Sequence, residues 1–355
     1  MRDDRWLYGL WEGDRAVARA GRVALLPFEL LFGAATGVRA ALYDTGFLRA
    51  HQTAVPAVSV GNLTVGGTGK TPLAAWIAKR LRGGGATPAI VLRGYGDDEP
   101  LVHRVLNPDV PVFVSADRVA ASREASRAGC DVVVLDDAFQ HRRASRVADI
   151  VVVSADRWRG THRHLLPAGP WRERLSAVRR ASLVVVTRKA VPAERAAAVL
   201  DAFRRVADLP AAIVHLDANE LRQFGSDARA DSIVLQGQSV LAISGIGDPT
   251  AFHAQLEARG ATVVPARFGD HHHFTRDDAA ALAAAATHYD RTVCTLKDAV
   301  KLGPLWPGPT PLWYVSQRVT PERGAQFLDA ALVTMLAARS DPTHSGRPGT
   351  PGPHA

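Results

Sequence analysis

Cysteine is scarce in this 355-residue chain, which contains only Cys130 and Cys294. Each lies beside an apolar run, which is the usual setting of a small buried hydrophobic residue. A disulfide framework or a cysteine-ligated metal centre is built from several cysteines at characteristic spacings. The sequence therefore argues against both kinds of site and favours a reducing compartment.

The sequence also lacks an uninterrupted apolar run long enough to cross a bilayer. The first 22 residues mix acidic, basic and aromatic side chains, so they do not form the continuous apolar core of a secretory signal. Residues 23–43 are largely apolar, but Pro27, Glu29 and Arg39 interrupt them, whereas a spanning helix needs about 20 mostly apolar residues. We therefore predict an N-terminal segment, residues 1–45, whose helix lies at a membrane interface; an ordinary core helix is the alternative.

Acidic residues are few in one stretch of the chain. Lysine and arginine total 43 against 35 aspartates and glutamates, a net charge of +8. Residues 141–180 contain ten arginines and three acidic residues. Such a stretch favours an anionic partner (nucleic acid, lipid headgroups or a phosphorylated substrate), although a solvated basic face is the alternative. No helix-turn-helix or aromatic-interleaved basic motif occurs, so we expect no nucleic-acid partner.

The pattern of apolar residues predicts an α/β protein with a mostly parallel sheet, because short β-branched runs alternate with helix-periodic stretches. The predicted strands are 57–60, 89–92, 131–135, 150–153, 183–187, 211–215, 240–243, 262–266 and 292–295. The predicted helices are 71–82, 118–128, 193–207, 250–259, 276–287 and 321–339.

The predicted organisation has two α/β lobes. The polar segment 217–238 shows no clear periodicity and is our candidate for the connection between them. We therefore predict a first lobe over residues 46–216 and a second, smaller lobe over 217–338. Residues 339–355 are rich in proline, glycine, serine and threonine, and we predict that they form a disordered tail.

A glycine-rich segment is the strongest local signal. Residues 61–72 read GNLTVGGTGKTP, follow the predicted strand 57–60 and open a predicted helix, which is the setting of a P-loop. The strict pattern has a glycine where this chain has Thr64, and a glycine-rich turn without a ligand is the alternative.

The P-loop hypothesis gives each residue of this segment a role. Backbone N–H groups would surround phosphate oxygens, Lys70 would reach the β- and γ-phosphates, and the Thr71 hydroxyl would bind Mg²⁺. The N-terminus of the helix adds partial positive charge. The predicted nucleotide-binding residues are Gly66, Gly67, Thr68, Gly69, Lys70 and Thr71.

An acidic pair ends another predicted strand. Residues 132–135 are apolar and run directly into Asp136 and Asp137. Carboxylates suit Mg²⁺, so the pair is a candidate metal site beside the P-loop; a simple turn is the alternative.

A series of further motifs resembles the lipid A 4'-kinases (tetraacyldisaccharide 4'-kinases). They occur in that family's order, and the resemblance covers roughly residues 20–335. The motifs are RGYG at 93–96, DEP at 98–100, DDAFQH at 136–141, LLPAGP at 165–170, SGIG at 244–247, DH at 270–271 and KD at 297–298.

The resemblance implies the reaction and the cofactors. The family transfers the γ-phosphate of ATP, with Mg²⁺, to the 4'-hydroxyl of a tetraacyldisaccharide 1-phosphate. It implies Asp98 as the catalytic base, His271 as its partner, Lys70 as a catalytic cation and Glu99 as a residue near Mg²⁺. Without it, Asp98 would be interpreted as a carboxylate capping a helix, and Glu99 as an ion-pair residue. Three adjacent histidines, 271–273, could suggest a metal site, but adjacent side chains rarely converge on one ion.

The resemblance also implies where the acceptor binds. We predict that it contacts Gln140, His141 and arginines in or beside the motifs, namely Arg93, Arg142, Arg143 and Arg172. A lipid acceptor implies a peripheral or monotopic enzyme of the inner membrane with its active site on the cytoplasmic side. We expect the membrane surface as a partner and no obligate protein partner.

Some positions depart from the family pattern. Only Asp97 separates the RGYG motif from Asp98, where the family has a longer insertion, which bears on acceptor selectivity. Ala138, Leu92 and Leu296 replace a glycine, a serine and an acidic residue. Two other functions stay open: a P-loop ATPase or switch that binds DNA, and a soluble small-molecule kinase.

Overall fold

The computed structural model describes residues 9–11, 13–94, 96, 98–160 and 164–340. The predicted disordered tail, residues 339–355, lies outside this range except for its first two residues. Asp97, the residue in the shortened segment, also lies outside it.

The described residues form one twelve-stranded sheet with helices on both faces. The strands are β1 Ala57–Gly61, β2 Pro88–Leu92, β3 Val112–Val114, β4 Val132–Asp136, β5 Ala148–Ser154, β6 Leu183–Arg188, β7 Ala211–Gln223, β8 Arg229–Asp231, β9 Ser239–Ser244, β10 Thr262–Arg267, β11 Arg291–Thr295 and β12 Leu312–Arg323. The helices are α1 Ala16–Asp44, α2 Lys70–Gly83, α3 Asp98–Leu106, α4 Arg118–Arg127, α5 Ala193–Arg204, α6 Pro249–Glu257, α7 Arg276–Ala286, α8 Leu296–Leu302 and α9 Ala325–Ala338. Short 3₁₀ helices occupy Leu175–Arg180, Ser232–Leu235 and Gly303–Leu305.

The sheet is mostly parallel, as predicted. Its order is β10-β9-β11-β12-β7-β6-β5-β1-β4-β2-β3, with β8 paired to β7. Among the strands of the described residues, only the pairs that β7 forms with β12 and β8 are antiparallel. Residues of β1, β2 and β4 are buried throughout, because helices cover both faces of a parallel sheet.

The two faces of the central strands contribute to separate parts of the core. Val58 and Val134 pack on one face with Leu73 and Ile77 of α2. Their neighbours in sequence face the other way and pack against α4. Strand β1 is thereby held rigidly from both sides, and the P-loop that follows it has a fixed origin.

Two long strands join the halves of the sheet. Residues 211–215 of β7 pair with β6, residues 213–223 of β7 pair with β12, and residues 312–315 of β12 pair with β11. The candidate connection 217–238 therefore includes the second half of β7 and all of β8 rather than only irregular chain. The division into lobes at residue 217 stays a prediction.

The predicted helix 321–339 begins too early. Residues 321–323 belong to β12, and the helix starts at Ala325 after Gly324, whose φ is 72°. Pro321 is tolerated in the strand because β11 pairs only with residues 312–315, so this end of β12 is an edge. Helix α9 then packs into the core beside α2 through Leu328, Leu332 and Met335.

The N-terminal helix α1 has 29 residues and extends beyond the predicted 23–43 at both ends. Two of its charged residues, Glu29 and Arg39, contact the rest of the chain. Glu29 accepts a hydrogen bond from the Leu165 N–H at 2.9 Å and contacts His164 at 2.9 Å. Arg39 donates to the Gln140 carbonyl at 3.0 Å. Glu29 and Arg39, which interrupt the apolar run, therefore dock the helix.

The opposite face of α1 is exposed and apolar. We call this the apolar face: Val17, Val23, Phe28, Leu30, Leu31 and Val38, between 57% and 83% exposed. Among the described residues, α1 is the one helix long and apolar enough to cross a membrane, judged by length and composition alone.

Candidate active site

The P-loop connects β1 to α2 in the conformation that its glycines allow. Gly66 and Gly69 have φ values of 101° and 87°, in the left-handed region. A Cβ on Gly69 would collide with the Leu216 side chain, so the close approach also requires glycine. The Thr68 carbonyl accepts a hydrogen bond from the Thr187 hydroxyl at 2.7 Å, which anchors the loop to β6.

Thr64, the departure from the strict P-loop pattern, contributes to a brace. It forms an isolated antiparallel bridge with Trp171. The next residue, Val65, donates to the Pro170 carbonyl at 2.8 Å, and Arg172 donates its backbone N–H to the Leu63 carbonyl at 2.8 Å. The LLPAGP motif therefore holds the first half of the P-loop from one side.

A cavity of 770 Å³ lies against the P-loop. Residues 66–72 form its floor, and α3, α8 and the residues after β4, β6 and β9 contribute walls. Phe32, Thr36, Arg39 and Ala40 of α1 also line it. The predicted nucleotide-binding residues and the apolar N-terminal helix thus share one cavity.

The two aspartates after β4 differ in what they face. Asp137 lines the cavity, but Asp136 is buried beneath it, with an exposed fraction of 1%. One Asp136 oxygen lies 2.8 Å from His103 Nε2, and the other accepts the backbone N–H of Asp137 at 2.9 Å. Of the four residues predicted near Mg²⁺, namely Thr71, Glu99, Asp136 and Asp137, Asp136 is the one that does not line the cavity.

Asp137 lies between two cations. Its carboxylate accepts two hydrogen bonds from Arg172 at 2.9 and 3.0 Å and lies 3.7 Å from Lys70 Nζ. Burial raises the pKa of the Asp137 carboxyl, but Lys70 and Arg172 outweigh it and lower the pKa. The group is therefore an anion that a phosphate or a metal ion would meet on entering.

Asp98 and His271 are in contact, although 173 residues separate them in sequence, and of the two only His271 lines the cavity. His271 Nδ1 lies 3.2 Å from Asp98 Oδ1, and Asp98 is 2% exposed at the start of α3. A Cβ on Gly96 would lie 2.5 Å from the carboxylate and 3.0 Å from the imidazole, so glycine leaves room for the pair. The structure therefore places the predicted base, Asp98, in contact with its predicted partner, His271.

The pair's electrostatics favour the charged forms. Burial raises the pKa of Asp98, but the hydrogen bond from His271 and the charge of Lys297 outweigh it, and the pKa lies well below its usual range. The hydrogen bond to Asp98 raises the pKa of His271. Asp98 is therefore an ionised carboxylate at neutral pH.

Glu99 makes a second contact between the same two parts of the chain. Its carboxylate lies 3.4 Å from Lys297 Nζ at the start of α8. Burial lowers the pKa of Lys297, but Glu99, Asp98 and Asp270 outweigh it and raise the pKa. Glu99 thus forms an ion pair with Lys297, as the alternative interpretation of this residue predicted, and it also lines the cavity.

The predicted acceptor residues divide into two groups. The cavity wall includes Arg93, Gln140, His141, Arg142 and Arg172. Arg143 instead lies 3.4 Å from Asp117 with 51% of its side chain exposed, and it does not line the cavity.

His141 is uncharged in this cavity wall. Burial, followed by the charges of Arg118 and Arg146, lowers the pKa of His141 to about 4. It can donate or accept a hydrogen bond at neutral pH, but it adds no positive charge for phosphate binding.

The structure adds cavity residues that the sequence analysis did not single out. Lys189 follows β6 and lies 3.4 Å from the Gly67 carbonyl and 3.5 Å from Asp248. Arg118 at the start of α4 lines the cavity and is 2% exposed. Both residues follow the carboxyl end of a strand of the parallel sheet, which is where such sheets bind ligands. Their position after a predicted or short strand is the feature of the sequence that could have indicated them.

The oxygen donors suit Mg²⁺ in the presence of phosphate. Thr71, Glu99 and Asp137 line the cavity with hydroxyl and carboxylate oxygens. The described part of the chain holds no cluster of three or more His, Cys, Asp or Glu residues that could hold a metal ion unaided. This pattern fits Mg²⁺, which keeps waters and takes further oxygens from nucleotide phosphates.

The sequence profile of one family, described as tetraacyldisaccharide-1-P 4'-kinase, matches residues 21–337. The chain belongs to this family. A curated tetraacyldisaccharide 4'-kinase from Halorhodospira halophila is 37% identical over 351 residues, which cover 93% of this chain and 98% of the relative. One from Anaeromyxobacter dehalogenans is 40% identical and covers 89% of this chain and 90% of the relative.

A solved structure agrees with the fold of the kinase. LpxK from Aquifex aeolicus, crystallised in complex with ATP, aligns with a TM-score of 0.69 at 27% identity. The alignment covers 89% of this chain and 99% of that one. The predicted family, fold class and enzyme class are therefore confirmed, and the chain is a kinase of the lipid A pathway.

Proposed function

We propose that this kinase transfers the γ-phosphate of Mg²⁺-ATP to the 4'-hydroxyl of a tetraacyldisaccharide 1-phosphate at a membrane surface. The observation that carries the proposal is the shared cavity. The P-loop, Asp137 and His271 line it together with Phe32 and Thr36 of α1. A hydrophilic nucleotide and an acylated sugar can therefore meet in one place.

The P-loop side of the cavity suits the triphosphate. The backbone N–H groups of residues 66–69 and the N-terminus of α2 would bind phosphate oxygens, and Lys70 would neutralise their charge. Thr71 and Asp137 are the proposed Mg²⁺ ligands, with Glu99 within the same cavity wall. Bound there, Mg²⁺ would neutralise charge on the β- and γ-phosphates during transfer.

Asp98 is the proposed acceptor of the hydroxyl proton. Its low pKa makes it a weak base, but phosphoryl transfer passes through a loose transition state and needs positioning more than a strong base. His271 would orient the carboxylate through the 3.2 Å contact. The 4'-oxygen–phosphorus bond forms as the bond to the β–γ bridging oxygen breaks, and the hydroxyl proton passes to Asp98.

The arginines and α1 are proposed to hold the acceptor. Arg93, Arg142 and Arg172 line the cavity and could bind the 1-phosphate with charge-assisted hydrogen bonds. The acyl chains would stay in the lipid phase, next to the apolar face of α1. Because ATP is cytoplasmic, we infer an enzyme on the cytoplasmic side of the inner membrane, peripheral or monotopic.

The test is phosphate transfer from labelled ATP to purified tetraacyldisaccharide 1-phosphate in mixed micelles with Mg²⁺. Wild type should form the 4'-phosphorylated product, and Asp98→Ala should bind ATP yet form product slower by about 10²- to 10⁴-fold. An acceptor already phosphorylated at the 4' position is the control. ATP hydrolysis by wild type without phosphorylation of the lipid would contradict the proposed acceptor.

A further inference from the structure

A histidine and an aspartate are paired in the interior beneath the P-loop. His103 and Asp136 are 0% and 1% exposed, and His103 Nε2 lies 2.8 Å from Asp136 Oδ2. An ionised Asp136 can only accept a hydrogen bond, so in a hydrogen bond to it His103 donates through Nε2. Burying an ionised carboxylate is costly unless it is paired, so this contact stabilises Asp136 in place. The proposed chemistry does not otherwise involve His103.

The His103–Asp136 pair bears on the backbone conformation of the next residue, Asp137. The second oxygen of Asp136 accepts the Asp137 N–H at 2.9 Å. Asp137 has a φ of 50°, in the left-handed region that a non-glycine residue rarely adopts. The Asp136 carboxylate thus holds the Asp137 backbone in an uncommon conformation, and that conformation aims the Asp137 side chain at Lys70 and Arg172.

His103 also belongs to the helix that carries the proposed base. Asp98 and Glu99 begin α3, and His103 follows Asp98 by five residues, about 7.5 Å along the helix axis. Just after α3, Asn107 Nδ2 donates to the Ala75 carbonyl of α2 at 2.8 Å in a second buried contact. The side chains of His103 and Asn107 therefore attach α3 and the residue after it to β4 and to α2, the helix that follows the P-loop.

We propose that His103 is a positioning residue. It connects Asp137, a proposed Mg²⁺ ligand, to α3, the helix that carries the proposed base Asp98. It acts through Asp136, which fixes Asp137, and through α3, which carries Asp98. The inference rests on the proposed function for the identity of the site. It predicts that loss of the His103–Asp136 contact weakens Mg²⁺-dependent binding and transfer more than it weakens nucleotide binding in the absence of Mg²⁺.

The chain offers a matched pair of substitutions. The side-chain amide nitrogen of His103→Gln occupies about the position of Nε2 and can donate to Asp136. The shorter amide of His103→Asn corresponds to Nδ1 and does not reach. Both variants are polar and remove the imidazole, so they differ chiefly in whether the contact to Asp136 survives.

The first measurement is the affinity of a fluorescent ATP analogue for the full chain, with EDTA and with Mg²⁺. Wild type and His103→Gln should show the same gain in affinity on adding Mg²⁺. His103→Asn should keep the affinity measured in EDTA but lose most of the gain. Its kcat should fall about 10- to 100-fold, as is typical when a partner of a metal ligand is removed, while KM for the acceptor stays unchanged.

Asn107→Ala is the control for lost stability, because it removes a buried contact of the same helix end without touching Asp136. It should lower the melting temperature yet keep the Mg²⁺-dependent gain. The proposal is overturned if Asn107→Ala loses that gain equally, if His103→Asn keeps it, or if His103→Gln behaves like His103→Asn.

If His103→Asn does not fold, nitrogen-15 spectra of the wild type decide. The His103 Nε2–H resonance should shift with Mg²⁺ and the ATP analogue together but not with the analogue in EDTA. An unchanged resonance would overturn the proposal. None of the binding measurements needs the lipid acceptor, so failure of the proposed acceptor would be distinguishable from failure of this inference.

Discussion

The apolar face of α1 allows a quantitative prediction about membrane binding. Leu30 and Leu31 are 70% and 69% exposed, and the adjacent Phe32 lines the cavity. Replacing both leucines with glutamine keeps good helix formers of similar size and removes apolar surface that the fold does not use. The variant should fold as wild type does and bind lipid vesicles more weakly.

The size of the effect follows from the exposed fractions. Full burial of a leucine side chain contributes about 1.5–3 kcal/mol. With about 70% of each side chain available to a membrane, the two leucines contribute about 2–4 kcal/mol together. At about 1.4 kcal/mol per tenfold, Leu30→Gln/Leu31→Gln should weaken vesicle partitioning by about 30- to 700-fold.

The assay is co-sedimentation of the full chain with vesicles that contain anionic lipid. The matched control is Ile233→Gln/Val333→Gln, because these two residues are each 64% exposed and lie outside α1. The control should bind vesicles as wild type does. Partitioning of the Leu30/Leu31 variant within threefold of wild type, or an equal loss in the control, would refute the role of the apolar face.

Further predictions concern the cavity. Gly69→Ala should weaken binding of a fluorescent ATP analogue by at least about tenfold, because φ is 87° and an added Cβ would collide with a leucine of β7; an unchanged affinity would contradict the P-loop geometry. Arg172→Ala should slow phosphate transfer by orders of magnitude, since it removes a hydrogen-bond partner of the half-buried Asp137 carboxylate, whereas Arg143→Ala, outside the cavity, should stay within about twofold; equal losses would contradict the division of the arginines. Asp98→Asn should lower the raised pKa of His271 toward 6.5, measured by NMR titration. The wild-type contact stabilises the fold fully below that pH and loses its effect as pH rises through the raised pKa; no change of pKa in the variant would contradict the pairing.

The parallel half of the fold could be predicted from local sequence. Fully buried strands read as continuous apolar runs, so 57–60 and 131–135 were found within one residue of β1 and β4. The P-loop helix, predicted as 71–82, spans Lys70–Gly83. These elements carry strong local signals, and the predicted nucleotide-binding residues follow from their order.

The joined strands could not be predicted in the same way. Residues 217–223 pair with residues 313–318 of β12, and residues 316–323 pair with residues 213–220 of β7; both stretches are polar on one face. Pro321 followed by an apolar stretch is typical of a helix start, so the pattern favoured a helix where β12 continues. The pairing of β7 with β12 is a long-range contact, and periodicity carries no information about it.

The candidate site shows the same limit. Asp136 and Asp137 are chemically identical neighbours, but the fold buries Asp136 beside His103 and leaves Asp137 lining the cavity. The Asp98–His271 contact came from the family resemblance, because 173 residues of chain separate the two side chains. Arg143 resembled Arg142 in sequence, but consecutive side chains point in different directions.

The most direct test of the account is a double-mutant cycle on Asp98 and His271, measured as kcat for phosphate transfer to the lipid acceptor in mixed micelles. We expect Asp98→Asn to lower kcat by about 10²- to 10⁴-fold and His271→Gln to lower it less. If the two side chains act as one unit, the double variant should be no slower than Asp98→Asn alone. Losses that multiply in the double variant, or an Asp98→Asn variant within about tenfold of wild type, would contradict the assignment of Asp98 and His271 as the catalytic pair.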